Sequence, residues 1–202
     1  MDGKALNKLT YGLFLLTAQE DGKDNGCIIN TAVQVAGEPT RISVSVINGN
    51  LTCEQIRRTG VFNVSALTAE TPFSTFSRFG MQSGRTADKF AGFSAAARSE
   101  NGLYYLTDAN MYLSARVVES LDLGSHTLFI AEVTDGRVLS DAPSCTYDFY
   151  RSSIRPKPDA APQKKTWVCS VCGYVYEGDE LPDDFVCPLC KHGREDFVPA
   201  GN

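Results

Sequence analysis

The sequence predicts a mainly β protein in two parts, a closed β-barrel followed by a small metal-binding domain. Short apolar or alternating segments recur between residues 11 and 134 with few helical patterns between them, which is typical of a barrel. Two Cys-x-x-Cys pairs lie near the C-terminus. A stretch with three prolines and almost no apolar side chains separates the two parts. We therefore predict domains at 1–150 and 167–202, joined by a linker at 151–166.

The predicted strands account for most of the first domain. A turn-rich stretch at 21–26 predicts a hairpin connection between the first two strands, and Asp135-Gly136 predicts a hairpin-type turn after the last. The predicted strands are expected to form an antiparallel meander. The predicted strands are 11–18, 27–35, 41–47, 61–67, 103–106, 111–121 and 127–134.

Two short helices interrupt the strands. Thr52-Cys53-Glu54-Gln55 matches a capping box and predicts a helix from Thr52 to Thr59 that ends at Gly60. Pro72 can begin a second helix, in which Phe73, Phe76 and Phe79 recur at helical spacing. Such an aromatic stripe is more typical of a protein core than of a cofactor site.

The charge and composition of the chain limit the kinds of partner that it can bind. The net charge is −5, and residues 166–202 alone hold seven acidic residues against two basic ones. This asymmetry argues against nucleic acid binding and leaves two alternatives, a basic protein partner or a plain solvated surface. The N-terminus has no apolar signal core and no run approaches the roughly 18 apolar residues of a membrane span, so we expect a cytoplasmic protein. Cys27, Cys53 and Cys145 stand alone and are expected to be unreactive thiols.

The two cysteine pairs predict a metal centre. Cys169, Cys172, Cys187 and Cys190, with 14 residues between the pairs, can place four thiolates around a tetrahedral ion. Zinc and iron both accept such a site, so the spacing leaves the metal open. The segment is too short for a self-sufficient core, and the metal is expected to supply much of its folding free energy. Five aromatic residues surround the cysteines in sequence: Trp167, Tyr174, Tyr176, Phe185 and Phe197.

The first domain lacks the sequence motifs of a Rossmann dinucleotide site, a P-loop or an H-E-x-x-H zinc site. What remains is polar: Asn30-Thr31 with Gln34, and the turn from Asn48 through Asn50 to Thr52. That turn leads into a helix and can bind a phosphate, although an ordinary helix cap has the same pattern. Two loop cations with a nearby hydroxyl, Ser83, Arg85 and Lys89, can close over the same anion, and His126 begins a strand that can face a pocket.

The C-terminal motifs W-V-C-S-V-C-G-Y-V-Y, L-P-D-D-F-V-C-P-L-C and E-D-F resemble rubredoxin. The resemblance implies one iron held by Cys169, Cys172, Cys187 and Cys190 that carries one electron. Lys191 stands where many relatives have glycine, which implies a left-handed backbone costing about 1 kcal/mol for a lysine.

The N-terminal motifs resemble the flavin reductase-like, FMN-binding split-barrel family, flavoredoxins included. They are Y-G-L-F-L-L-T-A, D-N-G-C-I-I-N-T-A-V-Q-V, N-L-T, G-V-F-N-V-S-A-L, R-F-G-M-Q-S-G-R, D-K-F-A-G-F and G-S-H-T-L-F-I-A-E-V. The resemblance implies a split barrel, a homodimer and a set of FMN contacts. By that implication Asn30, Thr31, Ala32 and Gln34 border the isoalloxazine, Asn50, Thr52, Arg85 and Lys89 hold the phosphate, and His126 lies near the ring.

A flavin domain followed by a rubredoxin domain resembles the high-molecular-weight rubredoxins of anaerobic bacteria. The resemblance implies an electron carrier between an NADH-dependent rubredoxin reductase and a flavodiiron protein that reduces oxygen or nitric oxide. Two alternatives stay open at this point. One is direct oxidation of NAD(P)H at the flavin, with His126 and the loop at 83–89 facing nicotinamide. The other is a zinc-ribbon binding module without redox function.

Overall fold

The computed structural model describes residues 5, 8–156, 166–178 and 180–199. The chain divides into two compact units, Met1–Pro156 and Lys157–Asn202. Each unit has its own buried apolar cluster.

The first unit is built on one antiparallel sheet of seven strands in the order β2-β1-β5-β8-β9-β4-β3. Two further strands, β6 and β7, form a separate ribbon. The strands are β1 Phe14–Glu20, β2 Lys23–Ile29, β3 Val33–Gly37, β4 Thr40–Ile47, β5 Val61–Ala66, β6 Ala96–Arg98, β7 Tyr104–Leu106, β8 Met111–Asp122 and β9 His126–Val138. The helices are α1 Leu51–Thr59, α2 Phe73–Gly80 and the short α3 Tyr147–Phe149, which continues into a π-helical turn at Tyr150–Ile154.

The sheet rolls into a barrel that hydrogen bonds do not close. β2 and β3 are the two edge strands of the sheet, yet Cys27 from β2 shares one buried cluster with Val44 from β4 and Phe129 from β9. The ends of the sheet therefore meet through side chains. The mainly β prediction and the split barrel are confirmed, while the closed barrel predicted from strand count alone is wrong.

Two details of the strand prediction are also wrong. The predicted strand at 27–35 is two strands, because β2 ends at Ile29 and β3 begins at Val33. The turn predicted at Asp135-Gly136 lies inside β9, which stays paired with β8 as far as Met111↔Val138. Close packing requires glycine at position 136, because a Cβ there would lie 2.6 Å from the Leu113 side chain. The hairpin turn instead falls before His126, where Gly124 has a φ of 85°.

Helix α1 ends as predicted but begins differently. Gly60 adopts a φ of 72° and donates its N–H to the carbonyl of Ile56 at 2.9 Å. The capping box is wrong, because the helix starts one residue earlier with Asn50 as its N-cap and no side-chain cap. The Thr52 hydroxyl accepts a hydrogen bond from Asn25 instead. A tertiary contact has thus replaced the local one.

Helix α2 follows the prediction, and Phe76 and Phe79 are buried on the outer side of the barrel. The predicted linker differs at both ends. Arg151–Ile154 belongs to the π-helical turn, and Ile154 packs against the cluster that contains Phe76, because an apolar side chain there gains from burial. At the other end Thr166 begins a strand, and residues 157–165 lie outside the described part of the chain.

Cys27, Cys53 and Cys145 are all buried, as expected for unreactive thiols. Burial raises the pKa of the Cys27 thiol to about 11, which keeps it protonated at neutral pH. None of the helices in the described residues is long and apolar enough to cross a membrane.

Candidate cofactor sites

The four-cysteine site is built from two turns of the same kind on a three-stranded sheet, β11-β10-β12. The strands are β10 Thr166–Cys169, β11 Val175–Glu177 and β12 Phe197–Pro199. In the first turn Gly173 has a φ of 75° and donates its N–H to the Cys169 carbonyl at 2.9 Å. In the second, Lys191 has a φ of 64° and donates to the Cys187 carbonyl at 3.0 Å. The left-handed lysine predicted from the sequence is confirmed.

The four sulfur atoms are spaced for a tetrahedral ion. Their Sγ atoms all lie within 4.8 Å of one another, with Cys169 to Cys190 at 3.6 Å and Cys172 to Cys187 at 3.5 Å. A tetrahedral ion with metal–sulfur bonds of about 2.3 Å requires sulfurs about 3.8 Å apart, so the site fits such an ion. Cys169 and Cys187 are buried, whereas Cys172 is exposed and Cys190 half-buried, so one pair of ligands faces inward and the other outward.

An aromatic cluster shields the inner side of this site. Phe197 is buried with Cys169 and Cys187, and Phe185 packs against Phe197 with ring centroids 5.3 Å apart. Trp167, Tyr174 and Tyr176 complete the cluster. The inner ligands therefore lie in an apolar surrounding, while the side of Cys172 is open to solvent.

In the barrel unit, a cavity of about 210 Å³ lies at the N-terminus of α1. Asn50 caps the helix without a side-chain hydrogen bond, and the first-turn amides of Leu51 and Thr52 have no acceptor within the helix. The loop at 80–84 forms the opposite wall. Exposed amide donors and the positive end of the helix dipole make this cavity suited to an anion.

Lys89 adds a buried positive charge to the same cavity. The residue is only 4% exposed, and its Nζ donates to the carbonyls of Gly26 at 2.9 Å and Phe79 at 3.1 Å. Burial lowers its pKa, because the ammonium loses its hydration. No residue that lines the cavity is acidic. A bound anion would therefore be the counter-ion that the cavity walls do not supply.

Asn25 is a wall of this cavity that the sequence motifs did not indicate as a site residue. It is 3% exposed, its Nδ2 donates to the Thr52 hydroxyl at 2.9 Å, and its Oδ1 has no partner among the described residues. A Cβ on Gly84 would lie 2.1 Å from that oxygen, so only glycine fits there. Asn25 was interpreted as a turn residue, and its burial inside β2 is visible only in the fold.

The structure brings together most of the residues expected at the phosphate. Asn50, Thr52, Ser83 and Lys89 line the cavity. Arg85 lies beside it, where its Nη2 donates to Glu54 at 2.5 Å and contacts the Gly49 carbonyl at 3.4 Å.

Asn48, predicted with this group, does not line the cavity. Its Nδ2 binds Asp122 and the Gly124 carbonyl, and its Oδ1 accepts from Arg57 and Thr127. These bonds attach the start of the turn to the hairpin between β8 and β9.

A second, apolar cavity of about 210 Å³ shares Gly80 and Met81 with the first. Its walls are Leu13, Ile28, Phe76, Tyr147 and Tyr150. Ile28 belongs to the cluster outside the barrel, whereas its neighbours Cys27 and Ile29 belong to the inner core. Sequence reasoning missed the two tyrosines, which follow the last strand of the barrel and carry no motif.

The residues expected around a flavin ring line neither cavity. Asn30, Thr31 and Ala32 connect β2 to β3, and the Thr31 hydroxyl is bound to the main chain of Ser45 at 2.8 and 3.0 Å. Gln34 is exposed on β3, with its Nε2 3.2 Å from the Ala36 carbonyl. His126 begins β9, and its Nδ1 lies 2.8 Å from the Ser125 hydroxyl.

Comparisons with known proteins identify the family. A profile of the flavin reductase like domain matches residues 6–157, and one of the rubrerythrin, rubredoxin-like domain matches residues 167–198. A high molecular weight rubredoxin from Moorella thermoacetica is 38% identical over 98% of this chain and 99% of its own length. The chain belongs to the high-molecular-weight rubredoxin family.

Two further proteins resemble the barrel unit of this high-molecular-weight rubredoxin family member. A ferric-chelate reductase (NAD(P)H) from Archaeoglobus fulgidus is 36% identical over 74% of this chain and 89% of its own. Among solved structures, the NADH:FAD oxidoreductase SgcE6 of Streptomyces globisporus, in complex with NAD and FAD fragments, has a TM-score of 0.66 at 18% identity. That match covers 78% of this chain and 92% of SgcE6 and concerns the fold.

Family and geometry together confirm the cofactor prediction, a flavin for the barrel and one iron for the four cysteines. The anion cavity with its buried lysine fits the phosphate of a flavin, and the sulfur spacing fits the iron. The chain is an electron-transfer protein that combines a flavin reductase-like barrel with a rubredoxin-like domain.

Proposed function

We propose that this chain passes electrons from an NADH-dependent rubredoxin reductase to a terminal acceptor such as a flavodiiron oxygen or nitric oxide reductase. The two redox centres that would carry the electrons are FMN in the barrel and one iron at Cys169, Cys172, Cys187 and Cys190. When bound, the flavin exchanges electrons in pairs or singly, and the iron exchanges them one at a time. The observation that carries the proposal is the pairing, in one chain, of an acid-free anion cavity with a tetrahedral thiolate site.

The phosphate of FMN is proposed to lie in the cavity at the start of α1. Amides of Leu51 and Thr52 would donate to it, and the Asn50, Thr52 and Ser83 side chains lie around it. Lys89 would supply a positive charge at the floor of the cavity while its Nζ remains hydrogen-bonded to the carbonyls of Gly26 and Phe79. Arg85 can turn from Glu54 toward the phosphate, since its side chain is 49% exposed.

The isoalloxazine is proposed to extend past Gly80 and Met81 over the apolar cavity. Ile28 and Phe76 would support one part of the ring, with Tyr147 and Tyr150 beside it. Asn30, Thr31, Ala32 and Gln34 follow β2 and would border its polar edge. His126 and Asn48 line neither cavity and would act by shaping the hairpin next to the site.

A homodimer remains part of the proposal. β3 is an edge strand on which Val33 and Val35 are 57% and 51% exposed, and such an edge favours pairing with a second copy.

The rubredoxin-like domain is proposed to meet its protein partners on an acidic surface. Glu180, Asp183, Asp184 and Glu195 are exposed, and Asp183 forms an ion pair with Arg194. A basic patch on the reductase or on the acceptor would complement this charge and speed association at low salt.

A second candidate function is direct oxidation of NAD(P)H by the barrel. It is favoured by the relatives named for that activity, the ferric-chelate reductase (NAD(P)H) and the NADH:FAD oxidoreductase. In this case the loop at 83–89 would face nicotinamide.

Anaerobic rapid mixing separates the two functions. The purified holoprotein is mixed with NADH alone, and then with NADH and a catalytic amount of rubredoxin reductase. The carrier function predicts that flavin and iron stay oxidised with NADH alone and bleach once the reductase is added. Rapid bleaching with NADH alone would replace the carrier function by the oxidoreductase.

A further inference from the structure

The side-chain oxygen of Asn25 is a buried hydrogen-bond acceptor at the wall of the anion cavity. Asn25 lies in β2 opposite Ala18 of β1 and is only 3% exposed. Its Nδ2 donates to the Thr52 hydroxyl at 2.9 Å, whereas its Oδ1 accepts from no group among the described residues. Because a buried acceptor without a partner costs free energy, this oxygen requires a donor from a ligand or from water.

The loop at 80–84 closes over this oxygen. Gly84 is buried and lines the same cavity as Asn25, and a Cβ on Gly84 would lie 2.1 Å from the Asn25 Oδ1. The lack of a side chain at position 84 therefore lets the loop lie directly against the oxygen. The remaining space for a donor is the cavity itself, which has a volume of about 210 Å³.

A phosphate alone does not supply this donor. Near pH 7 a phosphate monoester is mostly a dianion, and its oxygens accept hydrogen bonds. They suit the amides of Leu51 and Thr52 and the ammonium of Lys89, but they would repel the Asn25 oxygen. The part of the ligand that meets this oxygen must therefore be a group next to the phosphate that has a hydrogen to donate.

We propose that Asn25 makes the anion cavity selective for a phosphate monoester that has a hydroxyl on the carbon next to the ester carbon. In FMN this group is the 4′-hydroxyl of the ribityl chain. The inference rests on the proposed function, because it takes the phosphate to lie at the start of α1. It adds to that site a residue that selects by the ligand's hydroxyl rather than by its charge.

Asn25 connects the two parts of the ligand through Thr52. The ligand hydroxyl donates to the Oδ1, the Nδ2 donates to the Thr52 hydroxyl, and the Thr52 hydrogen remains free to donate to the phosphate. A ligand with a methylene in place of the hydroxyl would displace water from the Oδ1 without replacing its hydrogen bond. Such a ligand loses affinity, because the buried oxygen is then left unpaired.

The test compares the affinities of the apoprotein for FMN, 4′-deoxy-FMN and 2′-deoxy-FMN by quenching of flavin fluorescence. We expect 4′-deoxy-FMN to bind about tenfold more weakly than FMN, since it cannot donate to the buried oxygen. The hydroxyl that 2′-deoxy-FMN lacks is farther from the phosphate, so this analogue should bind within about twofold of FMN. Equal losses for the two analogues would contradict the proposal.

Asn25→Leu should remove the preference. Leucine has a similar shape but no acceptor, so FMN and 4′-deoxy-FMN should bind to this variant with affinities within about twofold of each other. Gln55→Met is the matched control, because it removes another buried amide, which donates to the Lys23 carbonyl and does not line the cavity. The control should keep the preference of about tenfold.

Two small phosphates make the same comparison without a flavin. Hydroxypropyl phosphate with its hydroxyl next to the ester carbon is compared with propyl phosphate, which has no hydroxyl. The first should raise the melting temperature of the apoprotein more than the second at equal concentration. This difference should vanish in Asn25→Leu and persist in Gln55→Met.

The outcomes separate this proposal from the proposed function. If FMN binds and 4′-deoxy-FMN binds equally well to the unsubstituted protein, the role of Asn25 is wrong and the FMN site stands; this comparison needs no variant to fold. A preference that persists in Asn25→Leu would also overturn it. If no flavin binds but the small phosphates show the Asn25-dependent difference, the selectivity stands and the FMN function is wrong. If no flavin and no phosphate binds, both are wrong.

Discussion

The Nδ2 of Asn25 donates to the Thr52 hydroxyl at 2.9 Å, joining β2 to the first turn of α1. The bond holds Asn25 and Thr52 together in the wall of the anion cavity. The amides of Leu51 and Thr52, which the Asn50 side chain does not cap, lie at the same wall, and the buried Lys89 forms the floor of the cavity. The anion site of the barrel thus depends on a contact between residues 27 positions apart.

Thr52→Val should lower both the stability of the barrel and its affinity for FMN. The substitution keeps the shape but leaves the buried Asn25 amide without its acceptor, at a cost of about 1–3 kcal/mol in the free energy of unfolding. Chemical denaturation of the apoprotein measures this. Thr40→Val is the control, since that exposed hydroxyl only donates to the Gly37 carbonyl. Equal effects of the two variants would contradict the role of the Asn25 contact.

Lys89→Met should weaken FMN binding by about thirtyfold while riboflavin, which has no phosphate, binds unchanged. Methionine retains the packing but removes the buried charge. Inorganic phosphate should raise the melting temperature of the unsubstituted apoprotein and not that of the variant. Equal losses for FMN and riboflavin would mean that Lys89 only maintains the fold.

The same lysine predicts a pH dependence. Because burial lowers its pKa, the folded apoprotein bears the cost of a buried charge below that pKa. The cost disappears as the pH rises through the lowered pKa toward the ordinary value of 10.5. Apoprotein stability should therefore gain from this group over that range, while FMN affinity falls. Titration of the FMN dissociation constant, with Lys89→Met as a pH-independent reference, checks the prediction.

Gly84→Ala should abolish flavin binding or unfold the loop at 80–84, because its Cβ would lie 2.1 Å from the Asn25 Oδ1. Gly49→Ala is a close control, since Gly49 lines the same cavity and an added Cβ there meets nothing within 4 Å. Fluorescence titration with FMN compares the two. Tight FMN binding by Gly84→Ala would contradict the arrangement of this wall.

Cys187→Ser should abolish the visible spectrum of the iron centre while FMN stays bound, since each unit has its own apolar cluster. Cys145→Ser, at a buried thiol of the barrel, should leave the iron spectrum intact. Loss of FMN from Cys187→Ser would show that the units depend on each other for folding.

Lys191→Gly should slow the loss of iron in guanidinium, because it relieves a left-handed backbone cost of about 1 kcal/mol. Ser170→Gly, in the first cysteine turn where no positive φ needs relief, should not slow it. No change in Lys191→Gly would mean that contacts of the lysine side chain offset the backbone cost.

The predictable parts of the fold are those with a local signal. β4 alternates, with Ile42, Val44 and Val46 inward, and the end of α1 at Gly60 has a local glycine signal. The wrong predictions arise where tertiary contacts outweigh local ones. Thr52 binds Asn25 rather than its own helix, and Gly136 packs on Leu113 inside a strand although Asp-Gly is typical of turns.

The two candidate sites also differ in how far the sequence predicts them. Four cysteines with paired spacing predict a metal centre because each ligand is in the motif itself. The proposed flavin site combines segments that are distant in sequence. The motifs predict some of its walls but do not single out Asn25, Gly84 or Tyr147, whose places depend on how the sheet rolls.

The most direct test of the electron-transfer account is quantitation of metal and flavin in one preparation of the purified full chain, alongside its visible spectrum. The account predicts one iron and one FMN per chain, both released from their own sites by acid extraction. One zinc per chain, or a preparation that holds no flavin and does not take up FMN, would contradict it.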